Sequence, residues 1–195
     1  MIRIGLTGGI GCGKTTVLRE FERLGARIFS ADEVASHYYE DENFKHELRS
    51  IFGPVIFHQD GSVDKKAIAQ LVFADKGLLS ALNALVHPRV IADFEEVLRS
   101  GQGRVNIVFE SAILYDYGFD KMMDSVVCVY LDHDERVRRL MIRDNSTRQQ
   151  IEARMRNQLP AEYAIDKADY VVLNYEGNPR RRQVEYIYSQ IISNQ

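Results

Sequence analysis

The chain contains 195 residues, of which 45% are hydrophobic and 10% aromatic, a composition typical of a globular domain with a buried core. Its net charge of -3 and pI near 6.0 argue against a general nucleic-acid-binding protein, which usually carries an overall basic excess. No apolar run reaches the roughly 18 residues of a membrane span, and the first residues lead directly into a predicted strand. We therefore expect no signal peptide, no membrane segment and a cytoplasmic location.

A glycine-rich loop follows the first predicted strand, the apolar run at residues 2–6. Residues 8–15 read G-G-I-G-C-G-K-T and fill every specified position of the phosphate-binding pattern G-x-x-x-x-G-K-[ST]. Glycines let successive N–H groups point into one concavity, and the following helix adds the positive end of its dipole. The pattern predicts that ATP binds through Gly9, Gly11, Cys12, Gly13, Lys14, Thr15 and Thr16. Lys14 would reach the β- and γ-phosphates, and the Thr15 hydroxyl would ligate a bridging magnesium ion.

After this loop, the pattern predicts a helix at residues 14–24 that ends at Gly25 and a short strand at 26–29. Residues 41–101 then carry apolar side chains at helical spacing, which indicates a helical subdomain inserted into a single domain of residues 1–195. Within it, Asp64 and Pro88 suit helix starts. His87-Pro88-Arg89 is therefore predicted to join two helices, and a purely structural role for His87 stays open.

Three later apolar, β-branched runs at residues 105–109, 126–131 and 170–173 are typical of parallel strands covered on both faces. Strands that alternate with helices predict an α/β fold with a five-stranded parallel sheet. Ligands bind at the carboxyl ends of such strands. We therefore expect the ends of the first three strands, at Thr7-Gly8, Ser30-Ala31-Asp32 and Glu110, to converge.

Two carboxylates at predicted strand ends are candidates for chemistry. Asp32 could orient an acceptor hydroxyl and accept its proton, although an aspartate at this position is also a good helix cap. Glu110 ends the third predicted strand and could hold magnesium through a water molecule.

Residues 136–156 contain seven arginines and two acids, a pattern that a solvated helix face would also explain. Arg139 and Arg143 lie four residues apart on one helical face, and Thr147 to Gln150 matches a capping box for a second helix. We predict a helical lid at about residues 136–160 that closes over ATP. Arg143, with Arg139 beside it, would then contact phosphate.

Five segments resemble the dephospho-CoA kinase family in order and spacing: Gly5 to Thr16, Ser30 to Ala35, Leu85 to Pro88, Arg143-Asp144, and Ala168 to Asn174. The resemblance covers nearly the whole chain. The phosphate loop alone is shared by many nucleotide-binding proteins, whereas its combination with the A-D-x-x-A and H-P segments is far more specific.

The resemblance implies a P-loop kinase fold and transfer of the ATP γ-phosphoryl group to the ribose 3′-hydroxyl of dephospho-CoA, with Mg2+ as cofactor. It implies that Asp32 is the base, that Arg143 is a lid residue on ATP, and that the helices around His87 hold the acceptor. Asn174 would lie near the adenine. The chain departs from the family pattern at Glu110-Ser111-Ala112, where the family generally has an aspartate followed by proline and leucines. A longer carboxylate can still serve a water-mediated magnesium.

Two other functions remain as alternatives. Another small-molecule or nucleoside monophosphate kinase would share the core and differ in its acceptor pocket. A nucleotide-dependent switch protein of the GTPase type fits less well, because the chain has no N-K-x-D segment to bind guanine. Oligomeric state is not predicted.

Cys12 and Cys128 lie in the loop and in a predicted buried strand, which favours free thiols in a reducing compartment. Cys12 stands at the start of a helix and next to Lys14, two features that lower a thiol pKa. One hypothesis is therefore that Cys12 is reactive without nucleotide and protected by Mg-ATP. The alternative is that its side chain points into the core.

Overall fold

The computed structural model describes residues 1–101, 105–156 and 158–194. It divides into two units, one formed by Met1–Ser30 with Gly103–Gln195 and the other by Ala31–Gln102. Residue 157 of the predicted lid lies outside the described residues.

The first unit contains a five-stranded sheet in which every neighbouring pair of strands is parallel. The strands are β1 (Arg3–Thr7), β2 (Arg27–Ser30), β3 (Ile107–Glu110), β4 (Ser125–Tyr130) and β5 (Tyr170–Leu173), in the spatial order β2-β3-β1-β4-β5. All four residues of β3 and most of β4 are buried, which explains their continuous apolar sequences. The predicted parallel α/β sheet is confirmed: the strand predicted at 170–173 has these bounds, and the ends of the other four strands are displaced by one or two residues.

The strand register brings the carboxyl ends of three strands together. Glu110 stands opposite Leu6 of β1 on one side and opposite Ser30 of β2 on the other. The predicted convergence is thus confirmed for the ends of these strands within the first unit.

The described residues form one or more α-helices between successive strands, except between β3 and β4, and a last helix after β5. They are α1 (Lys14–Arg23), α2 (Ala31–Tyr38), α3 (Glu42–Phe52), α4 (Lys65–Ala74), α5 (Lys76–Ser100), α6 (His133–Asp144), α7 (Arg148–Met155), α8 (Ala161–Lys167) and α9 (Arg180–Ser193). Helix α1 buries Val17, Leu18 and Phe21, and the Phe21 ring meets the Tyr188 ring of α9 edge-on at 5.8 Å. Leu24, the last residue of the predicted helix, is exposed at the C-terminal cap. Among the described residues, none of the helices combines the length and hydrophobicity that crossing a bilayer requires.

The second unit is helical and has its own core of Phe44, Leu48, Phe52, Ile56 and Ile68. The Asp64 side chain accepts hydrogen bonds from the backbone N–H groups of Lys66 and Ala67, so its predicted role at a helix start is confirmed.

The prediction that Pro88 starts a helix is wrong. Pro88 lies inside α5, a continuous helix of 25 residues, so His87-Pro88-Arg89 joins no helices. A proline inside a helix supplies no N–H donor and strains the preceding turn. Burial of Val90 and Phe94 on the next turns favours continuation of the helix and offsets this cost. The Arg89 guanidinium also donates to the Leu85 carbonyl at 2.8 Å, although the carbonyl that loses its donor at Pro88 is that of Ala84. Burial of residues within α5 therefore outweighs the tendency of proline to start a helix.

Candidate active site

The phosphate loop joins β1 to α1 and bends sharply at its glycines. Gly13 caps α1 with a φ of +88°, in the left-handed region that side chains other than glycine disfavour. A Cβ at Gly13 would also lie 2.2 Å from Nδ2 of Asn174. Both the backbone conformation and the neighbouring amide therefore require glycine here.

The side chain of Lys14 folds back over the loop. Its Nζ donates a hydrogen bond to the Gly8 carbonyl at 2.9 Å and lies 3.9 Å from Oε1 of Glu110. The Lys14 side chain is 12% exposed, so its charge is largely withdrawn from solvent. An ammonium in this position is available to phosphate oxygens bound by the loop.

The carboxylate of Glu110 is buried at the end of β3 and is held from a second side. The Ser30 hydroxyl donates to Oε2 of Glu110 at 2.9 Å. Glu110 and the exposed hydroxyl of Thr15 on α1 offer hard oxygen ligands of the kind magnesium prefers. Within the described part of the chain no three His, Cys, Asp or Glu side chains cluster. A magnesium ion held mainly by substrate phosphates and water needs only one or two protein oxygens, so these residues fit it.

Asn174 follows β5 and stabilises the phosphate loop through hydrogen bonds. Its side chain is buried, and Nδ2 donates to the Cys12 carbonyl at 2.7 Å while Oδ1 accepts from Nη1 of Arg180 at 3.1 Å. Its backbone N–H donates to the Tyr130 carbonyl at 2.9 Å. The predicted site residue is thus part of the loop's support, and its proximity to adenine stays a prediction.

The two predicted lid arginines are placed differently. Arg139 donates from Nη2 to the Asn174 carbonyl at 3.2 Å and pairs with Glu135 at 2.9 Å, so it lies beside the loop. Hydrogen bonds from Arg138 and Arg139 lower the pKa of Glu135 to about 2. The Arg143 side chain is 63% exposed and pairs with Asp144, and no hydrogen bond or ion pair in the described residues joins it to the loop. The predicted capping box of Thr147 and Gln150 is present.

The hypothesis of a lowered Cys12 pKa is wrong. Cys12 is 1% exposed and packs in the core of the sheet unit, and this burial raises its pKa because a thiolate there would lose its hydration. The nearby positive charges of Lys14 and Arg136 lower the Cys12 pKa, but by less than burial raises it. Cys128 is buried as well, and both cysteines are free.

Asp32 and His87 belong to the helical unit. Asp32 is exposed in the first turn of α2, two residues after the end of β2. His87 lies midway along α5, where partial burial lowers its pKa. The catalytic role of the first and the acceptor-binding role of the second stay predictions.

Two residues that the sequence did not single out contact the loop at Ile10. Nε of Arg136 donates to the Ile10 carbonyl at 2.9 Å, and Oε1 of Gln158 accepts from the Ile10 N–H at 2.8 Å. A signal for Arg136 existed, because it precedes Arg139 by three residues and so lies on the same helical face. No comparable signal pointed to Gln158.

Comparisons with known proteins agree with this geometry. A family model described as dephospho-CoA kinase matches residues 2–179. The dephospho-CoA kinase of Fusobacterium nucleatum is 34% identical over 171 residues, which cover 88% of each chain.

Solved structures share the fold of this chain. The crystal structure of TT1252 from Thermus thermophilus superposes with a TM-score of 0.85 at 30% identity and covers 97% of both chains. The structure of dephospho-CoA kinase from Campylobacter jejuni gives a TM-score of 0.60 at 25% identity, covering 97% of this chain and 96% of that one. The chain belongs to the dephospho-CoA kinase family.

Proposed function

We propose that this chain transfers the γ-phosphoryl group of ATP to the ribose 3′-hydroxyl of dephospho-CoA, giving coenzyme A and ADP. One observation carries the proposal: a complete phosphate loop at the carboxyl end of β1, with Lys14 folded against it, in a chain of this family. This activity completes coenzyme A biosynthesis.

The loop and Lys14 bind and orient the phosphates. Backbone N–H groups of the loop and the amino end of α1 attract the β- and γ-phosphates. Lys14 exchanges its contact with the Gly8 carbonyl for phosphate oxygens, and Glu110 stays within reach of its ammonium. Positioning and charge neutralisation are the main contributions to a loose phosphoryl-transfer transition state.

Thr15 and Glu110 are the residues that would hold magnesium, Glu110 through a water molecule. When bound, Mg2+ neutralises charge on the β- and γ-phosphate oxygens. The hydrogen bond from Ser30 and the nearby ammonium of Lys14 hold the Glu110 carboxylate in place for this role.

The acceptor is activated and enclosed by residues outside the loop. Asp32 orients the 3′-hydroxyl and accepts its proton, and the helical segment at about residues 41–101, including His87, holds the rest of dephospho-CoA. The segment at about residues 136–160 acts as a lid, from which Arg139 and Arg143 approach ATP. The whole chain works as one kinase domain.

A coupled assay of ADP release tests this function. Purified protein receives Mg-ATP with dephospho-CoA, with nucleoside monophosphates, or with no acceptor, and mass spectrometry identifies the product. We expect ADP release only with dephospho-CoA, and a product heavier by one phosphoryl group. Faster turnover of a nucleoside monophosphate would indicate a different kinase, and ADP release without acceptor would indicate a nucleotide hydrolase.

A further inference from the structure

Arg136 on α6 is a buried arginine in direct contact with the phosphate loop. The residue is 8% exposed, and its Nε donates to the Ile10 carbonyl at 2.9 Å. A Cβ at Gly9 would lie 2.3 Å from Nη2 and 3.0 Å from Nη1, so the guanidinium occupies the space that a side chain at Gly9 would need.

The charge of Arg136 has no carboxylate partner within the described residues, where it forms no ion pair. Its neighbours on the same helix differ, because Arg138 and Arg139 both pair with Glu135 and Arg143 pairs with Asp144. Glu162 acts on Arg136 only through space, and burial lowers the arginine's pKa. A buried charge without a partner is unfavourable unless another group supplies the opposite charge.

The guanidinium can be reached from outside the core. Arg136 lines a cleft of about 520 Å³ on the side away from the loop, and its polar lining also comprises His133, Arg156, Gln158 and the carboxylates of Glu152 and Glu162. Its Nε is engaged by the Ile10 carbonyl, which leaves the two Nη groups beside Gly9 as the donors for a ligand. A planar guanidinium with adjacent donors suits phosphate oxygens.

We propose that Arg136 is a phosphate-binding residue of the nucleotide site, whose Nη groups contact the polyphosphate bound in the loop. Nε meanwhile fixes the Ile10 peptide, together with Gln158 on its other side. The inference rests on the proposed function only in taking a nucleoside triphosphate as the ligand of the loop. The substrate then supplies the anionic partner that Arg136 lacks among the described residues.

Binding measurements on the full chain test the proposal without any acceptor. Isothermal titration calorimetry with Mg-ATP, inorganic tripolyphosphate and adenosine is compared for the wild type, R136M and R136K. Arg182→Met is the matched control, because Arg182 is an exposed arginine on α9. R136M should weaken binding of ATP and tripolyphosphate by roughly 10- to 100-fold, the range expected for a lost hydrogen bond to a charged group, and R136K should recover part of it.

A merely structural role predicts a different result. If Arg136 only holds the Ile10 peptide, R136Q, whose amide keeps a donor near Ile10, would bind tripolyphosphate within about 2-fold of the wild type, and that outcome overturns the proposal. A joint loss of adenosine and tripolyphosphate affinity in R136M would overturn it as well. If R136M does not fold, R136Q replaces it: the amide keeps a donor near Ile10 but carries no charge, so the same loss is expected. Failure of dephospho-CoA as acceptor would leave these measurements unaffected.

Discussion

Replacing Asn174 by alanine should destabilise the sheet unit and loosen the phosphate loop. The Asn174 amide makes two side-chain hydrogen bonds, to the Cys12 carbonyl at 2.7 Å and from Arg180 at 3.1 Å. Alanine removes both and leaves the carbonyl of the buried Cys12 without this donor.

The size of the effect follows from these two bonds. A buried polar group left without a partner costs about 1–3 kcal/mol, and an ordinary hydrogen bond contributes about 0.5–1.5 kcal/mol. We assign the larger cost to the Cys12 carbonyl and the smaller one to Arg180, whose Nε is already buried without a partner. The free energy of unfolding should therefore fall by about 1.5–4.5 kcal/mol.

Urea unfolding followed by circular dichroism measures this change, and titration with ATP measures the effect on the loop. Asn178→Ala is the matched control, because the exposed Asn178 amide makes a single long bond to the Leu173 carbonyl at 3.3 Å. We expect the control to change stability by less than about 0.5 kcal/mol. An Asn174→Ala variant as stable as this control, with unchanged ATP affinity, would refute the reasoning.

Three further predictions concern the proposed reaction and the loop cysteine. Asp32→Asn should keep ATP affinity and lower kcat by about 100-fold, the lower end of the loss expected for a general base. The control Asp75→Asn, at the start of another helix, should leave kcat unchanged. An unchanged kcat in Asp32→Asn would mean that Asp32 has only a structural role in its helix. Arg143→Ala should lower kcat by about 10-fold or more and weaken ATP binding by a smaller factor, and Arg143→Lys should restore only part of the lost kcat. An equal loss in ATP affinity and in kcat/KM would instead indicate that Arg143 binds the ground state and the transition state equally well. Iodoacetamide should label Cys12 neither with nor without Mg-ATP in the folded protein, but should label it in urea; peptide mapping that finds Mg-ATP-sensitive labelling would contradict its burial.

The sheet was predictable from sequence because its strands carry an unambiguous signal. Buried parallel strands need apolar side chains on both faces, so residues 126–131 and 170–173 are nearly continuous in Val, Leu and aromatic residues. Strand ends depend on the register of the neighbouring strand, which the sequence does not contain. The strand predicted at 126–131 accordingly runs from Ser125 to Tyr130.

The orientation of single side chains was much less predictable. Cys12 has two local features that lower a thiol pKa, but the loop turns its side chain into the core, where desolvation dominates. Pro88 has the local signature of a helix start, but packing on either side carries α5 through it. In both cases tertiary packing outweighs the preference that the neighbouring sequence indicates.

The phosphate loop illustrates why a motif search does not find the residues that support it. At the variable positions Ile10 and Cys12, backbone groups make the hydrogen bonds to these supporting residues, so the side-chain identities at 10 and 12 do not reveal the partners. Their partners Arg136, Gln158 and Asn174 lie 126 to 162 residues away in sequence. The motif therefore specifies the conformation that receives phosphate, while segments after β4 and β5 hold that conformation in place. Variants of these distant residues should consequently change phosphate binding even though none of them belongs to the motif.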